Sequence, residues 1–273
     1  MAQQVIPPKA HWSPEADFSR MSFFIREMNT SASSRSSEVP AAQIPLIGFI
    51  YVSAGEVLVN VDTASFLCQP GQLLLIPPQH PFAVRYYHDA VGYNGGFAPS
   101  ILLDTNPLRF LSAPLHQGFW FDEGAFMGLL FQMLASASEK GDQVFIEKGL
   151  DLLLSRVRPE HAASVPPAVS CFLEAVFDPE RKPGTLASYA AENYISENYL
   201  SRLVKQATGR SVGAWIDIVR IQRAKRLLAE TREPIIDIAA AVGLEDQSYF
   251  SRFFKKVTGM TPSAFRLLRS AGG

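Results

Sequence analysis

Ile238-Ala-Ala-Ala-Val-Gly-Leu244, followed by Asp246-Gln-Ser-Tyr-Phe-Ser-Arg-Phe-Phe-Lys-Lys256, is the stretch on which the reading of this chain turns. Ile235 to Val242 forms a short apolar helix, Gly243 accepts the left-handed conformation that ends it, and Asp246 is placed to cap a second helix from Gln247 to Val257. A short helix, a tight turn and a longer helix make helix-turn-helix grammar. That grammar is common, so specificity has to come from elsewhere. Sliding the chain by 50 residues lays Leu186–Trp215 over Ile236–Phe265 with nine identities. They are Ala190/Ala240, Ala191/Ala241, Tyr199/Tyr249, Ser201/Ser251, Arg202/Arg252, Lys205/Lys255, Thr208/Thr258, Gly209/Gly259 and Ala214/Ala264. One supersecondary unit is used twice. In the first copy Leu186 to Glu192 is the short helix, Asn193 takes the place of Gly243, and Ser196 caps a helix from Glu197 to Ala207.

At 3.6 residues per turn, Leu200, Leu203, Val204 and Ala207 share one face, and Phe250, Phe253, Phe254 and Val257 share the same face of the other copy; these positions are expected in the core. The opposite faces carry Asn198, Ser201, Arg202 and Lys205, and Gln247, Ser248, Ser251, Arg252 and Lys255. Arginine pairs with guanine through two hydrogen bonds, Asn and Gln suit adenine, short Ser approaches any base edge, and Lys meets phosphate. An ordinary solvated face explains either helix alone. It gives no reason for the same Ser-Arg-x-x-Lys to recur.

Between the copies, Val212–Glu230 reads as one long helix, with Trp215, Ile218, Val219, Ile221, Leu227 and Leu228 at helical spacing. At 1.5 Å per residue it spans about 28 Å, near the ~34 Å between successive major-groove faces on one side of duplex DNA. Its basic residues Arg220, Arg223, Lys225 and Arg226 either touch the DNA backbone or support packing. The charge distribution agrees: residues 166–273 hold 15 Lys and Arg against 11 Asp and Glu, whereas residues 1–165 hold 10 against 15. The net charge of −1 conceals a basic C-terminal half.

The first half has short apolar runs at Leu46–Ser53, Val57–Val61, Leu73–Pro77 and Phe82–Tyr87, broken at Ala54-Gly55, Asp62-Thr63 and Gln69-Pro70-Gly71. This spacing predicts an antiparallel sandwich or barrel. Thr30–Ser37 reads as a flexible loop. Two amphipathic helices follow, Asp122–Leu134 and Gln143–Arg158, serving either as core cover or as a dimer seam. Pro159–Pro167 is the expected boundary. The expectation is therefore an α+β chain with residues 1–160 as the β domain, 161–167 as linker and 168–273 as an all-α domain. The two cysteines, Cys68 and Cys171, fall in different halves and read as buried hydrophobes rather than a disulfide or thiolate cluster. With 47% hydrophobic residues but no apolar run of membrane-spanning length and no leader pattern at Met1–Ala10, a cytoplasmic globular protein is expected.

The segments Ile238–Leu244, Asp246–Lys256 and Gly259-Met-Thr-Pro-Ser-Ala-Phe-Arg266 closely resemble the signature of the AraC family of transcription regulators. Tyr199-Leu-Ser-Arg-Leu-Val-Lys-Gln-Ala-Thr-Gly209 and Arg220–Leu228 fit the same pattern, with Val204 and Leu244 where phenylalanine is usual. The resemblance implies a cupin-like N-terminal β-barrel that binds a small-molecule effector and contributes to a homodimer, with double-stranded DNA and RNA polymerase as partners. Phe66-Leu-Cys-Gln-Pro-Gly-Gln-Leu-Leu-Leu-Ile-Pro-Pro-Gln-His80 is similar to the Pro-Gly segment of regulatory cupins. The His-x-His pair of metal-dependent cupins occurs nowhere in the sequence, so neither metal nor cofactor is expected. His80 and His88 do not reproduce that pattern.

With regular alternation, Phe82, Val84 and Tyr86 share a face and line the barrel with Tyr93, Gly95 and Phe97, while Ser53 lies where sugar-responsive relatives place a polar ligand contact. Such a lining favours an apolar or aromatic effector over a sugar, and equally describes plain core. Two rivals lack support. A cupin enzyme needs metal ligands or a nucleophile and base that the first half does not supply, and a protein-binding adaptor predicts no salt-dependent affinity for DNA.

Overall fold

The computed structural model describes residues 18, 21–30, 39–102, 117–120, 124–157 and 165–270. The chain forms two compact units, Met1–Val165 and Pro166–Gly273. Most of the expected Thr30–Ser37 loop and residues 161–164 of the expected linker lie outside the described residues; Pro167 opens a helix.

Among the described residues, the first unit holds an antiparallel sheet of seven strands: β1 (Phe23–Asn29), β2 (Val39–Ala42), β3 (Ile47–Val61), β4 (Ala64–Cys68), β5 (Gln72–Ile76), β6 (Phe82–Phe97) and β7 (Gln117–Trp120). Strands β3 and β6 are long because each serves two half-sheets. The start of β3 pairs with β5 and the end of β6; its end pairs with β4 and the start of β6. The expected turn at Ala54-Gly55 is instead a bend within β3. Gly55 has φ +69°, and a Cβ there would lie 2.2 Å from the Asp89 carbonyl oxygen, so glycine alone lets the two strands fold together at this point. Residues from both half-sheets then meet in one apolar cluster, with Ile50, Val52, Leu74 and Ile76 from one and Val57, Val59, Phe66, Phe82 and Val84 from the other. Among the described residues, the ladders make a folded sheet; none joins its outer edges into a closed barrel.

The opposite face of the first half-sheet carries Ile47, Phe49, Tyr51, Leu73, Leu75 and Phe97, and it is covered by α1 (Gly124–Lys140) and α2 (Gln143–Ser155). Phe131 of α1 stacks on Tyr51, with centroids 4.5 Å apart, and on Tyr93 at 5.8 Å. Within the expected stripe of α1, Leu130 and Leu134 are buried, but Phe126 and Met133 are exposed; Met127 and Phe131 take the inward places.

The second unit is helical: α3 (Pro167–Phe177), α4 (Leu186–Glu192), α5 (Glu197–Thr208), α6 (Val212–Glu230), α7 (Ile235–Ala241), α8 (Gln247–Thr258) and α9 (Pro262–Ser270). Helix α6 is shared. Its first turns give Trp215 to the core around Phe177, and its last turns give Ile221, Ala224 and Leu228 to the core built with Ile238, Ala239, Val242, Phe250, Phe254 and Phe265. Phe250 and Phe254 are fully buried, each worth roughly 1.5–3 kcal/mol by transfer. Of the basic residues on α6, Arg223 is buried: its guanidinium donates to the carbonyls of Val176 and Asp178 at the end of α3, where a cation offsets the helix dipole, and to that of Arg181 in the loop beyond. This residue supports packing. Among the described residues, no helix is long and apolar enough to cross a membrane.

Candidate nucleic-acid interface

The two longer helices are cut to the same length by the same means. Ser196 accepts the Tyr199 amide at 3.3 Å and Gly209 ends α5 with φ +73°; Asp246 accepts the amides of Ser248 at 2.7 Å and Tyr249 at 2.9 Å, and Gly259 ends α8 with φ +81°. Both caps are where the sequence placed them. The Tyr249 and Ser248 amides hold the Asp246 carboxyl below the usual aspartate range, so the cap is ionised at neutral pH.

Leu200 and Val204 point inward from α5, and Phe250 and Phe254 from α8, with no exposure. Leu203, Ala207 and Phe253 are half-buried. Val257, expected in the core, is 55% exposed. It lies in the last turn of α8, where Phe254 and Phe265 pack edge to face and fill the space in its place. The polar faces emerge intact: Asn198, Arg202 and Lys205 are exposed on α5, as are Gln247, Ser248, Arg252 and Lys255 on α8, with Ser201 and Ser251 half-buried at equivalent places. Tyr199 and Tyr249, 42% and 52% exposed, belong to these same faces. The repeat had marked them as identical without assigning them a place.

The first helices of the two copies align with an offset of 49, not 50. Tyr189 and Ala190 are the buried residues of α4, and Ile238 and Ala239 those of α7. The equivalent pairs are therefore Ala190/Ala239 and Ala191/Ala240, and the turn of the second copy is one residue longer. Asn193 keeps φ −88°; the left-handed residue of the first turn is Tyr194, at φ +54° and 96% exposed. Its counterpart Gly243 has φ +80°, and a Cβ there would sit 3.1 Å from the Pro183 carbonyl oxygen. The second turn thus rests on the loop before α4. This contact and the shared helix α6 fix the two copies relative to each other.

In the first unit the expected effector residues do not share one face. Phe82 and Val84 point into the cluster between the half-sheets, but Tyr93 and Phe97 lie on the side covered by α1. Tyr86 is on neither side with them: Leu58 pairs with Tyr86 and Val59 with Val84, so Arg85 is an extra residue that reverses the alternation. Tyr87 takes the inward place, and burial pushes its hydroxyl well above the usual tyrosine range. Ser53 is exposed at the bend and donates to the Val91 carbonyl at 3.0 Å. Phe18, which no strand or helix pattern in the sequence marks, is buried in the inner cluster against Phe24. Cys68 lies in that cluster too, its thiol pushed up to about 12 by burial. Cys171, expected to be buried, is exposed.

Two capped helices with matching polar faces on a shared spacer define a double helix-turn-helix regulator that binds DNA. The comparisons with known proteins agree over both units. A pattern described as a helix-turn-helix domain matches residues 189–267, and one described as an AraC-like ligand binding domain matches residues 30–154. The arabinose operon regulatory protein of Salmonella typhimurium is 32% identical over 233 residues, covering 78% of this chain and 80% of that protein. That of Escherichia coli is 33% identical over 240 residues, covering 78% and 77%. The transcriptional activator RhaR of Yersinia pseudotuberculosis is 32% identical over 220 residues, covering 72% and 73%. The chain belongs to the AraC family of transcription regulators, with an N-terminal ligand-binding region and a C-terminal DNA-binding one.

Proposed function

We propose that α5 and α8 enter successive major-groove segments on one face of a duplex, with Arg202, Ser201 and Asn198 reading one segment and Arg252, Ser251, Ser248 and Gln247 the other, and Lys205 and Lys255 meeting phosphate. The observation that carries this reading is the recurrence of one exposed Ser-Arg-x-x-Lys face on two helices held by a common spacer. Solvation alone has no use for that repetition.

Residues 1–160 then act as the effector-binding and dimerising part, joined through residues 161–167 to residues 168–273. The inner cluster around Phe82, Val84 and Phe18 favours an apolar or aromatic effector, and the exposed apolar residues Phe126, Leu129 and Met133 on α1 support association with a second copy. An effector that prefers one arrangement of this part shifts the population competent to bind DNA. The protein works in the cytoplasm as an activator that meets RNA polymerase, and has no catalytic role of its own.

Selection of a random duplex pool with the purified chain at two salt concentrations tests the reading. A site with two short elements about ten base pairs apart is expected, with Arg202→Ala relaxing one element and Arg252→Ala the other. Retention that depends on neither arginine would refute it.

A further inference from the structure

The two reading helices share the sequence Tyr-x-Ser-Arg, yet their arginines are held differently. On α5 the guanidinium carbon of Arg202 lies 5.3 Å over the ring of Tyr199. On α8 the equivalent ring is engaged elsewhere: Tyr249 stacks in parallel on Phe253, with centroids 6.4 Å apart and planes 5° from parallel. Among the described residues, no ring lies beneath Arg252, whose charge is instead felt by the exposed carboxylate of Asp246.

The cause is one position. Residues three and four places beyond the tyrosine compete for the same ring, since both are its neighbours on a helix surface. In the first copy the residue four places on is Leu203, which offers no ring, so the tyrosine is left to the arginine. In the second copy it is Phe253, and an aromatic pair of comparable strength takes the tyrosine away. A guanidinium held on a rigid ring loses less freedom when it forms a paired contact to a base than one left mobile.

We infer that Tyr199 is a positioning residue for Arg202, that position 203/253 decides whether each unit has such support, and that the first unit therefore discriminates base pairs more sharply than the second. The inference rests on the reading that Arg202 and Arg252 contact base edges.

The test uses the 273-residue chain and the duplex enriched from the random pool, with single base-pair changes placed in each element and affinity measured at fixed salt. In the wild type, a change under α5 is expected to weaken binding about tenfold and one under α8 by clearly less, as paired base contacts allow. Tyr199→Ala should flatten discrimination in the first element to the level of the second, and Tyr199→Phe should retain it. Phe253→Leu, which returns Tyr249 to its arginine, should sharpen the second element while leaving affinity for random duplex and its salt dependence unchanged. Equal discrimination by both units in the wild type would overturn the inference. So would a Tyr199→Ala variant that weakens all duplexes alike, which marks a backbone contact or a folding defect, or a Phe253→Leu variant without effect. Arg202→Ala separates the levels: if it leaves the first element's specificity intact, the base-contact reading itself fails, whereas if it abolishes that specificity and Tyr199→Ala does not, only the positioning role fails.

Discussion

The two helix-turn-helix copies differ most where they turn. In the first, the turn between α4 and α5 spends its left-handed position on Tyr194, a residue 96% exposed with φ +54°. In the second, the equivalent place is Gly243, pressed against the Pro183 carbonyl. A side chain is tolerated where the turn faces solvent, at the cost of strain, and is excluded where the turn serves as the joint between the copies. Repetition of sequence therefore need not mean repetition of load.

The largest expected effect bears on that joint. Gly243→Val combines an unfavourable left-handed β-branched residue with a contact against backbone, and should cost about 2–3 kcal/mol or more in denaturant unfolding followed by helical circular dichroism. A loss below about 0.5 kcal/mol would show that the turn can leave Pro183 freely.

The next contrast lies behind the reading helices. Thr208 closes the end of α5 by donating to the Val204 carbonyl at 2.7 Å and accepting the Trp215 indole N–H at 2.9 Å; Thr258 donates to the Phe254 carbonyl at 2.8 Å, but the residue matching Trp215 is Phe265, whose ring carries no N–H. Replacing each threonine by valine keeps the shape and removes the hydroxyl. Thr208→Val should cost about 1–3 kcal/mol, since the acceptor of a buried donor goes, and Thr258→Val about 1 kcal/mol or less. Equal losses in parallel unfolding curves would count against this difference.

Tyr194→Gly should act in the opposite direction. Relief of the left-handed strain outweighs the added freedom of the unfolded chain, for a net gain of up to about 1 kcal/mol, read as a raised unfolding midpoint. The same substitution at a position of ordinary φ would destabilise, so a lowered midpoint would mean that Tyr194 has a contact worth more than its strain.

The smallest effect is electrostatic. Asp246 is an ionisable cap and Ser196 is not. Because the folded-state carboxyl of Asp246 titrates below its unfolded value, its contribution is present above the ordinary aspartate range and is lost as pH falls through the lower, folded value. The amide resonances of Tyr249 and Ser248 should move with a midpoint below that ordinary range, and the Tyr199 amide should show no such step. An Asp246→Asn variant should abolish the step.

The fold of the second unit was legible because local signals agreed there: caps, apolar period and a repeat all specified α5 and α8. What escaped has particular causes. Ala239, Ala240 and Ala241 allow the copies to match at offsets of 49 and 50 alike, and only burial distinguishes them. In the first unit, one extra residue at Arg85 separates Tyr86 from Phe82 and Val84, and no alternation of apolar and polar residues announces a bulge. Strand β6 also crosses from one half-sheet to the other, so Tyr93 and Phe97 meet α1 rather than the inner cluster. Strands depend on partners distant in sequence, and helices far less.

The proposed function requires the two copies to act as one rigid reader of a single DNA face. The most direct measurement inserts five base pairs, about half a helical turn, between the two elements of the selected duplex, which carries the second element to the opposite face. Affinity is expected to fall to that of a duplex with one element scrambled and to be restored by neither Arg202→Ala nor Arg252→Ala. Undiminished affinity for the lengthened duplex would contradict it.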